Sequence, residues 1–181
     1  MSTENAGELP ADVCGATIIR AGSADIDIVL DILNDAARWL TSRGIDQWRP
    51  GSFDRAQLTA RIDSGEIYLA TVDGQPAGTL TLQASDPLFW PDAPDDALYL
   101  HKLAVHRTYA GRGLGLYLLR WAERMAAARG KRYLRLDCMA ESAALRAYYE
   151  AAGFGHRCDI AGRNWSASLY EKAIVDSIHK E

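Results

Sequence analysis

Apolar positions along the chain switch between two periods, and the switches mark its elements. Thr17-Ile18-Ile19-Arg20 reads as a short first strand. From Ile26 the apolar residues recur at Val29, Leu30, Leu33, Ala37 and Leu40, the spacing of one buried helix face, with Ser23 or Asp25 as the cap and Gly44 as the stop. A second helix starts at Ser52 or Asp54 and runs through Leu58 and Ile62. Strands over Ile67 to Val72 and Ala77 to Leu82 flank Asp73-Gly74-Gln75-Pro76, a hairpin signature. The stretch from Asp86 to Asp96 holds Pro87, Pro91 and Pro94, which exclude a regular helix or central strand, so it is expected as a long surface connection. A strand then runs from Leu98 to Val105. After a glycine-rich turn, Leu114, Leu118, Trp121 and Met125 keep helical spacing as far as about Gly130. A strand over Tyr133 to Cys138, a helix over Ser142 to Ala152 and a hairpin (Phe154 to Ile160, Trp165 to Tyr170) close the pattern.

Two helices, an antiparallel meander, then strand, helix, strand, helix and hairpin predict an α/β fold with a mixed sheet. A chain of 181 residues, 48% hydrophobic and 24% charged, is expected as one globular domain over residues 15–175, with a loose arm at 1–14 and a tail at 176–181. The net charge of −4 gives no general attraction to nucleic acid or to an anionic membrane, and neither is expected as a partner. No run of residues approaches a membrane span, and Met1 to Pro10 lacks the features of a secretory signal, so a cytoplasmic location is expected. Cys14, Cys138 and Cys158 form no Cys-x-x-Cys pair, so neither a disulfide framework nor a metal site is indicated.

The turn between the Leu98 strand and the Leu114 helix carries the chemistry. Gly111, Gly113 and Gly115 at a helix start let backbone N–H groups approach a ligand, and the unpaired first-turn amides with the positive end of the helix dipole suit a phosphate or diphosphate. Arg107 and Arg112 are expected to add charge beside it. A Walker loop fits poorly, because Arg112-Gly113-Leu114 supplies neither its lysine nor its hydroxyl. A dinucleotide loop fits in part: Gly113-Leu114-Gly115 lacks the third glycine, although Asp137 ends the next strand. The third option is specific. Leu103-Ala104-Val105 followed by Ala110-Gly111-Arg112-Gly113-Leu114-Gly115 resembles the central motif of the GNAT superfamily of acetyltransferases, with Ala110 standing where that motif has Arg or Gln.

A second stretch, Ser142 to Phe154, resembles the other signature of that superfamily. Counting back from Gly153-Phe154 puts Tyr149 at its tyrosine and Ser142 at its asparagine, though a tyrosine on that helix face also fits plain core packing. The two motifs together extend the resemblance over residues 17–172. They imply a GNAT-like mixed, mostly antiparallel central sheet flanked by helices, with acetyl-CoA as co-substrate and no metal. In such a fold the strands containing Leu103 and Leu136 splay apart around the coenzyme. The implied contacts are main chain at Leu103, Ala104 and Val105 for the pantetheine, residues Ala110, Gly111, Arg112, Gly113, Leu114, Gly115 and Leu116 for the diphosphate, and Ser142 and Tyr149 from the later helix.

Acetyl transfer expels a CoA thiolate, and a phenol in reach can protonate it, which makes Tyr149 the candidate general acid. Its neighbour Tyr148 is expected to pack inward. The amine must first lose a proton. Alternation puts Tyr99, His101, Leu103 and Val105 on one strand face, and Leu100 to Arg107 is similar to the strand of arylalkylamine N-acetyltransferases in which a histidine at the position of His101 serves as base. Asp137 and a water remain alternatives. The segments Asp46 to Trp48 and Asp86 to Asp96 combine acids with aromatics, which favours a small cationic or aromatic amine as acceptor. The expected function is therefore N-acetylation of a small-molecule or peptide amine in a ternary complex. A non-catalytic acyl-CoA-binding regulatory module and a dinucleotide-binding domain are the alternatives. Oligomeric state stays open, dimers being common among similar proteins.

Overall fold

The computed structural model describes residues 15–174; the expected arm (1–14) and tail (176–181), with Cys14 and His179, lie outside the described residues. The elements run β1 (Ala16–Arg20), α1 (Ile26–Ser42), α2 (Arg55–Asp63), β2 (Ile67–Val72), β3 (Gln75–Gln83), β4 (Ala97–Val105), α3 (Leu114–Ala128), β5 (Tyr133–Met139), α4 (Ala143–Ala151), β6 (Gly155–Ala161) and β7 (Ser166–Ala173). Short 3-10 turns occupy Ser23–Asp25 and Arg107–Tyr109. The strands form one seven-stranded sheet in the order β1-β2-β3-β4-β5-β7-β6. It is antiparallel at β1/β2, β5/β7 and β6/β7 and parallel at β4/β5, the mixed, mostly antiparallel sheet expected. No helix among the described residues is long and apolar enough to cross a membrane.

The chain divides into two compact units. One takes in the described residues up to Thr79 with Ala104–Leu118, the other Leu80–Leu103 with the described residues from Leu119 onward. In the first, the apolar stripe of α1 (Ile26, Val29, Ile32, Leu33) packs with Leu58 and Ile62 of α2, Ile67 and Leu69 of β2, and Ala104 at the end of β4. Asp54 caps α2 by accepting the N–H groups of Ala56 and Gln57. The β2–β3 turn carries positive φ at both Asp73 (51°) and Gly74 (76°), the geometry that an Asp-Gly hairpin supplies. Gly78 of β3 lies so close to its neighbours that a Cβ there would sit 3.0 Å from the Ala104 carbonyl and 3.1 Å from Leu118 Cδ1.

In the second unit a buried arginine organises the long connection after β3. Arg135 of β5 donates to Glu171 Oε2 (2.8 Å) and to the Tyr99 hydroxyl (2.9 Å), and pairs with Asp96 at 3.3 Å. Its guanidinium also lies 4.9 Å from the centre of the Trp90 ring. Asp95 pairs with Lys131, and the Asp96 carbonyl accepts the N–H groups of Arg132 (2.8 Å) and Tyr133 (3.1 Å). Residues 86–96 are thus an irregular but tethered segment, held through Asp95 and Asp96; Asp96 Oδ1 is buried and meets Arg135 by charge without a hydrogen bond.

Candidate active site

β4 ends at Val105 and the chain enters the glycine turn under firm restraint. His106 N–H donates to the Ala77 carbonyl (2.8 Å), and Asp35 of α1 accepts Arg107 N–H at 2.7 Å with His106 Nε2 3.7 Å away. His106 Nδ1 accepts the Thr108 N–H (3.4 Å), so its other nitrogen carries the proton and faces Asp35. Gly111 (φ 77°) and Gly113 (φ 80°) then take left-handed conformations that a side chain would resist. A Cβ on Gly111 would meet nothing within 4 Å, so φ and not crowding demands glycine there. Tyr117 N–H donates to the Gly113 carbonyl (3.0 Å) as α3 begins. The amides of Leu114, Gly115 and Leu116 occupy the first turn, where a helix offers no acceptor.

One expectation about this turn changes. Ala110 N–H closes the 3-10 turn on the Arg107 carbonyl (3.2 Å), so it is not one of the free amides. The Arg107 guanidinium stacks over the Trp39 ring at 4.2 Å and Arg112 lies 5.6 Å from the Tyr109 ring, so each cation is already engaged with an aromatic face.

The parallel ladder between β4 and β5 pairs Ala97 with Tyr133 through Leu100 with Leu136 and continues no further, while β5 remains paired with β7 as far as Met139. Just past that point Lys102 adopts φ 48° within β4. A left-handed residue inside a strand re-aims the side chains beyond it, so the unbroken alternation from Tyr99 to Val105 does not hold. Leu103 is half-buried and Ala104 turns into the core of the first unit.

His101 stands where the two strands part. Its Nε2 lies 3.2 Å from Asp86 Oδ2 and its Nδ1 3.5 Å from Asp137 Oδ1. Burial raises the Asp137 carboxyl above the usual carboxylate range, the His101 charge opposes that, and Asp86 adds to it. Ligand atoms of Asp86, His101 and Asp137 all lie within 4.8 Å of one another, so among the described residues this is the group with a metal-binding donor set. Each carboxylate faces a different ring nitrogen, however, and that suits proton sharing better than one shared ion. The sequence places Asp86 in a segment expected near the acceptor but not beside His101; its signal is the Asp-Pro that opens the long connection.

A family model described as the acetyltransferase (GNAT) family matches residues 30–154. This chain belongs to the GNAT family. An uncharacterised N-acetyltransferase of Bacillus subtilis, YesJ, is 34% identical over 159 residues, covering 83% of this chain and 86% of that protein. A GNAT acetyltransferase structure from Listeria monocytogenes superposes with a TM-score of 0.74 at 28% identity, covering 87% of this chain and 94% of the other. A putative acetyltransferase of Salmonella typhimurium, solved with its cofactor acetyl-CoA, shares the fold at a TM-score of 0.67 and 17% identity, over 92% of this chain and 98% of that one. The chain is accordingly a GNAT-family N-acetyltransferase, and the dinucleotide-binding alternative falls away.

The tyrosines of this GNAT chain divide opposite to one expectation. Tyr148 is 40% exposed, while Tyr149 packs its ring against Phe154 (6.0 Å between centroids) and Tyr170 (6.3 Å). Burial drives the Tyr149 phenol well above the ordinary tyrosine range, so it stays protonated at any working pH. Ser142 is the N-cap of α4 and accepts the Leu145 N–H at 3.4 Å. Cys138, buried beside this group, has its thiol pushed up to about 11, chiefly by burial, which leaves almost no thiolate for nucleophilic attack. Among the acids expected near the acceptor, Asp46 is bound to Arg49 (2.8 and 2.9 Å), Asp95 to Lys131 and Asp96 to Arg135.

Proposed function

We propose that this enzyme acetylates the primary amine of a small molecule or peptide by direct attack on acetyl-CoA in a ternary complex. The observation that carries the reading is His101, held where β4 and β5 part with a carboxylate at each ring nitrogen. An ammonium has no lone pair, so His101 accepts its proton, directly or through water, and Asp86 and Asp137 stabilise the imidazolium that results. The amine attacks the thioester carbonyl carbon, the C–S bond breaks, the departing thiolate takes the proton of the Tyr149 hydroxyl, and the second proton shed by the acylated nitrogen restores that hydroxyl. No step calls for a metal or a covalent enzyme intermediate.

The backbone of Leu103, Ala104 and Val105 orients the pantetheine and polarises the thioester carbonyl. Gly111, Arg112, Gly113, Leu114, Gly115 and Leu116 receive the diphosphate, bordered by Ala110, whose own amide is engaged within the turn. Ser142 adds a contact to the pantetheine arm through what its capping role leaves free. The acetyl-CoA and coenzyme A complexes of two structural neighbours, from Salmonella typhimurium and Thermoplasma acidophilum, support this choice of co-substrate.

Thiol release from acetyl-CoA, measured across a panel of primary amines, tests the proposal. Tyr149→Phe should lower kcat by about 10²-fold or more, the range for a positioned general acid, while calorimetry shows coenzyme affinity unchanged. Full turnover by that variant would remove Tyr149 from the mechanism.

A further inference from the structure

The acid that faces His101 also builds an apolar surface beside it. Asp86 Oδ2 lies 3.2 Å from His101 Nε2, and its Oδ1 accepts the Phe89 N–H at 3.4 Å. Its carbonyl accepts the Trp90 N–H at 2.8 Å, which closes the turn. Leu88 and Phe89 therefore ride on the same turn as the carboxylate. The aromatics of this turn go separate ways: Trp90 packs toward Tyr99 (6.3 Å) and Arg135, whereas Phe89 meets Trp165 of the β6–β7 turn edge to face at 5.6 Å.

Trp165 is held on two sides and still open to water. Gly162 lies beneath its indole so closely that a Cβ there would fall 2.3 Å from ring atoms, and Gly162 N–H donates to the Trp165 carbonyl at 2.8 Å. The residue is nevertheless 46% exposed, and Leu88 is 71% exposed. Exposed apolar groups gathered from two separate loops are unfavourable in water unless something covers them, and rigid aromatic side chains are effective contact groups. The charge next to them comes from Asp86 and Asp137. An ammonium group with a hydrocarbon attached complements both.

We propose that Leu88, Phe89 and Trp165 form an apolar subsite for the acceptor, so that the preferred substrate is a primary amine bearing an alkyl or ring group, its nitrogen drawn to Asp86 and Asp137. This rests on the acetyl-transfer reading and adds to it a substrate class and the residues that select it. Gly162 belongs to the device, since it is what allows the indole to lie flat on the turn.

The test compares kcat/KM for ethanolamine, putrescine, butylamine, hexylamine and phenethylamine, with calorimetric titration of hexylamine into enzyme saturated with CoA. For the wild type, kcat/KM should climb about fourfold per added methylene along the alkylamines and fall well below that line for putrescine. Trp165→Ala should flatten the series and raise the hexylamine KM at least tenfold, with the smallest loss for ethanolamine and the acetyl-CoA KM unchanged. Trp165→Phe should recover part of the slope, and Gly162→Ala, which displaces the indole without removing it, should reproduce the loss. Equal use of all the amines, a preference for putrescine, or a series unaffected by either variant would overturn the subsite and leave acetyl transfer intact. Hexylamine binding that depends on Trp165, with no amine acetylated, would keep the subsite and overturn the transfer reading. A wild-type dimer in sedimentation that Trp165→Ala converts to monomer would show the surface to be an interface between copies, and would overturn the proposal.

Discussion

At Asp137, burial penalises the charged form more than the neighbouring imidazole favours it, so the folded-state carboxyl titrates above its unfolded value. Such a group has no unfavourable effect where it is protonated in both states, and it lowers stability as pH rises through the folded-state value. Asp137→Asn is therefore expected to match the wild type in urea unfolding below about pH 3, under the unfolded aspartate range, and to be the more stable protein at pH 7. Unfolding curves that coincide at pH 7 would contradict this. Cys138 gives the opposite kind of prediction: with its thiol held protonated, Cys138→Ala should keep kcat within about twofold, and no hydroxylamine-labile acetyl-protein should form without acceptor. Of the cluster's members, His101 and Asp137 were legible in the sequence because strand position and residue type mark them. Asp86 was not, since its meeting with His101 is made across a proline-rich connection that carries no periodicity. Tyr149 was legible by its place before Gly153-Phe154, but adjacent aromatics on a helix are told apart only by what packs against them, here Phe154 and Tyr170.

The glycine turn was visible as an element, with its strand before and helix after, whereas its anchorage was not. Asp35 lies on α1 among alternating apolar and polar residues that mark it as ordinary helix surface, and it binds Arg107 N–H from 72 positions away. Asp35→Ala should raise the acetyl-CoA KM by about tenfold, as expected for loss of one charge-assisted hydrogen bond worth roughly 1.5 kcal/mol, with kcat little changed. Asp35→Asn, which keeps an acceptor for that amide, should recover part of the loss. An unchanged KM in Asp35→Ala would show that the turn holds its shape without α1. β4 supplies the other lesson at this scale. Its sequence alternates well enough to read as an uninterrupted strand, and the left-handed Lys102 that breaks the alternation belongs to a residue type with no preference for that conformation. The irregularity follows from where the β5 ladder stops, which is a matter of tertiary pairing.

For the molecule as a whole, periodicity and turn chemistry located every strand and helix of the described residues to within a few positions, because each buries one face and ends at a recognisable glycine, proline or cap. Strand order is less local: that β7, the last strand, lies between β5 and β6 depends on the pairing of residues distant in sequence, which periodicity does not reveal. The division into two compact units, with α3 contributing Leu118 to one and Leu119 to the other, left no trace in composition or linkers. In the proposed mechanism His101 and Tyr149 serve a single step in which amine and thioester react directly, and the protonated thiol of Cys138 takes no part in it. Initial rates measured while acetyl-CoA and an accepted amine are varied together test that claim most directly. The double-reciprocal lines should intersect, with no CoA released before the amine is added; parallel lines, with a burst of CoA from enzyme and acetyl-CoA alone, would contradict it.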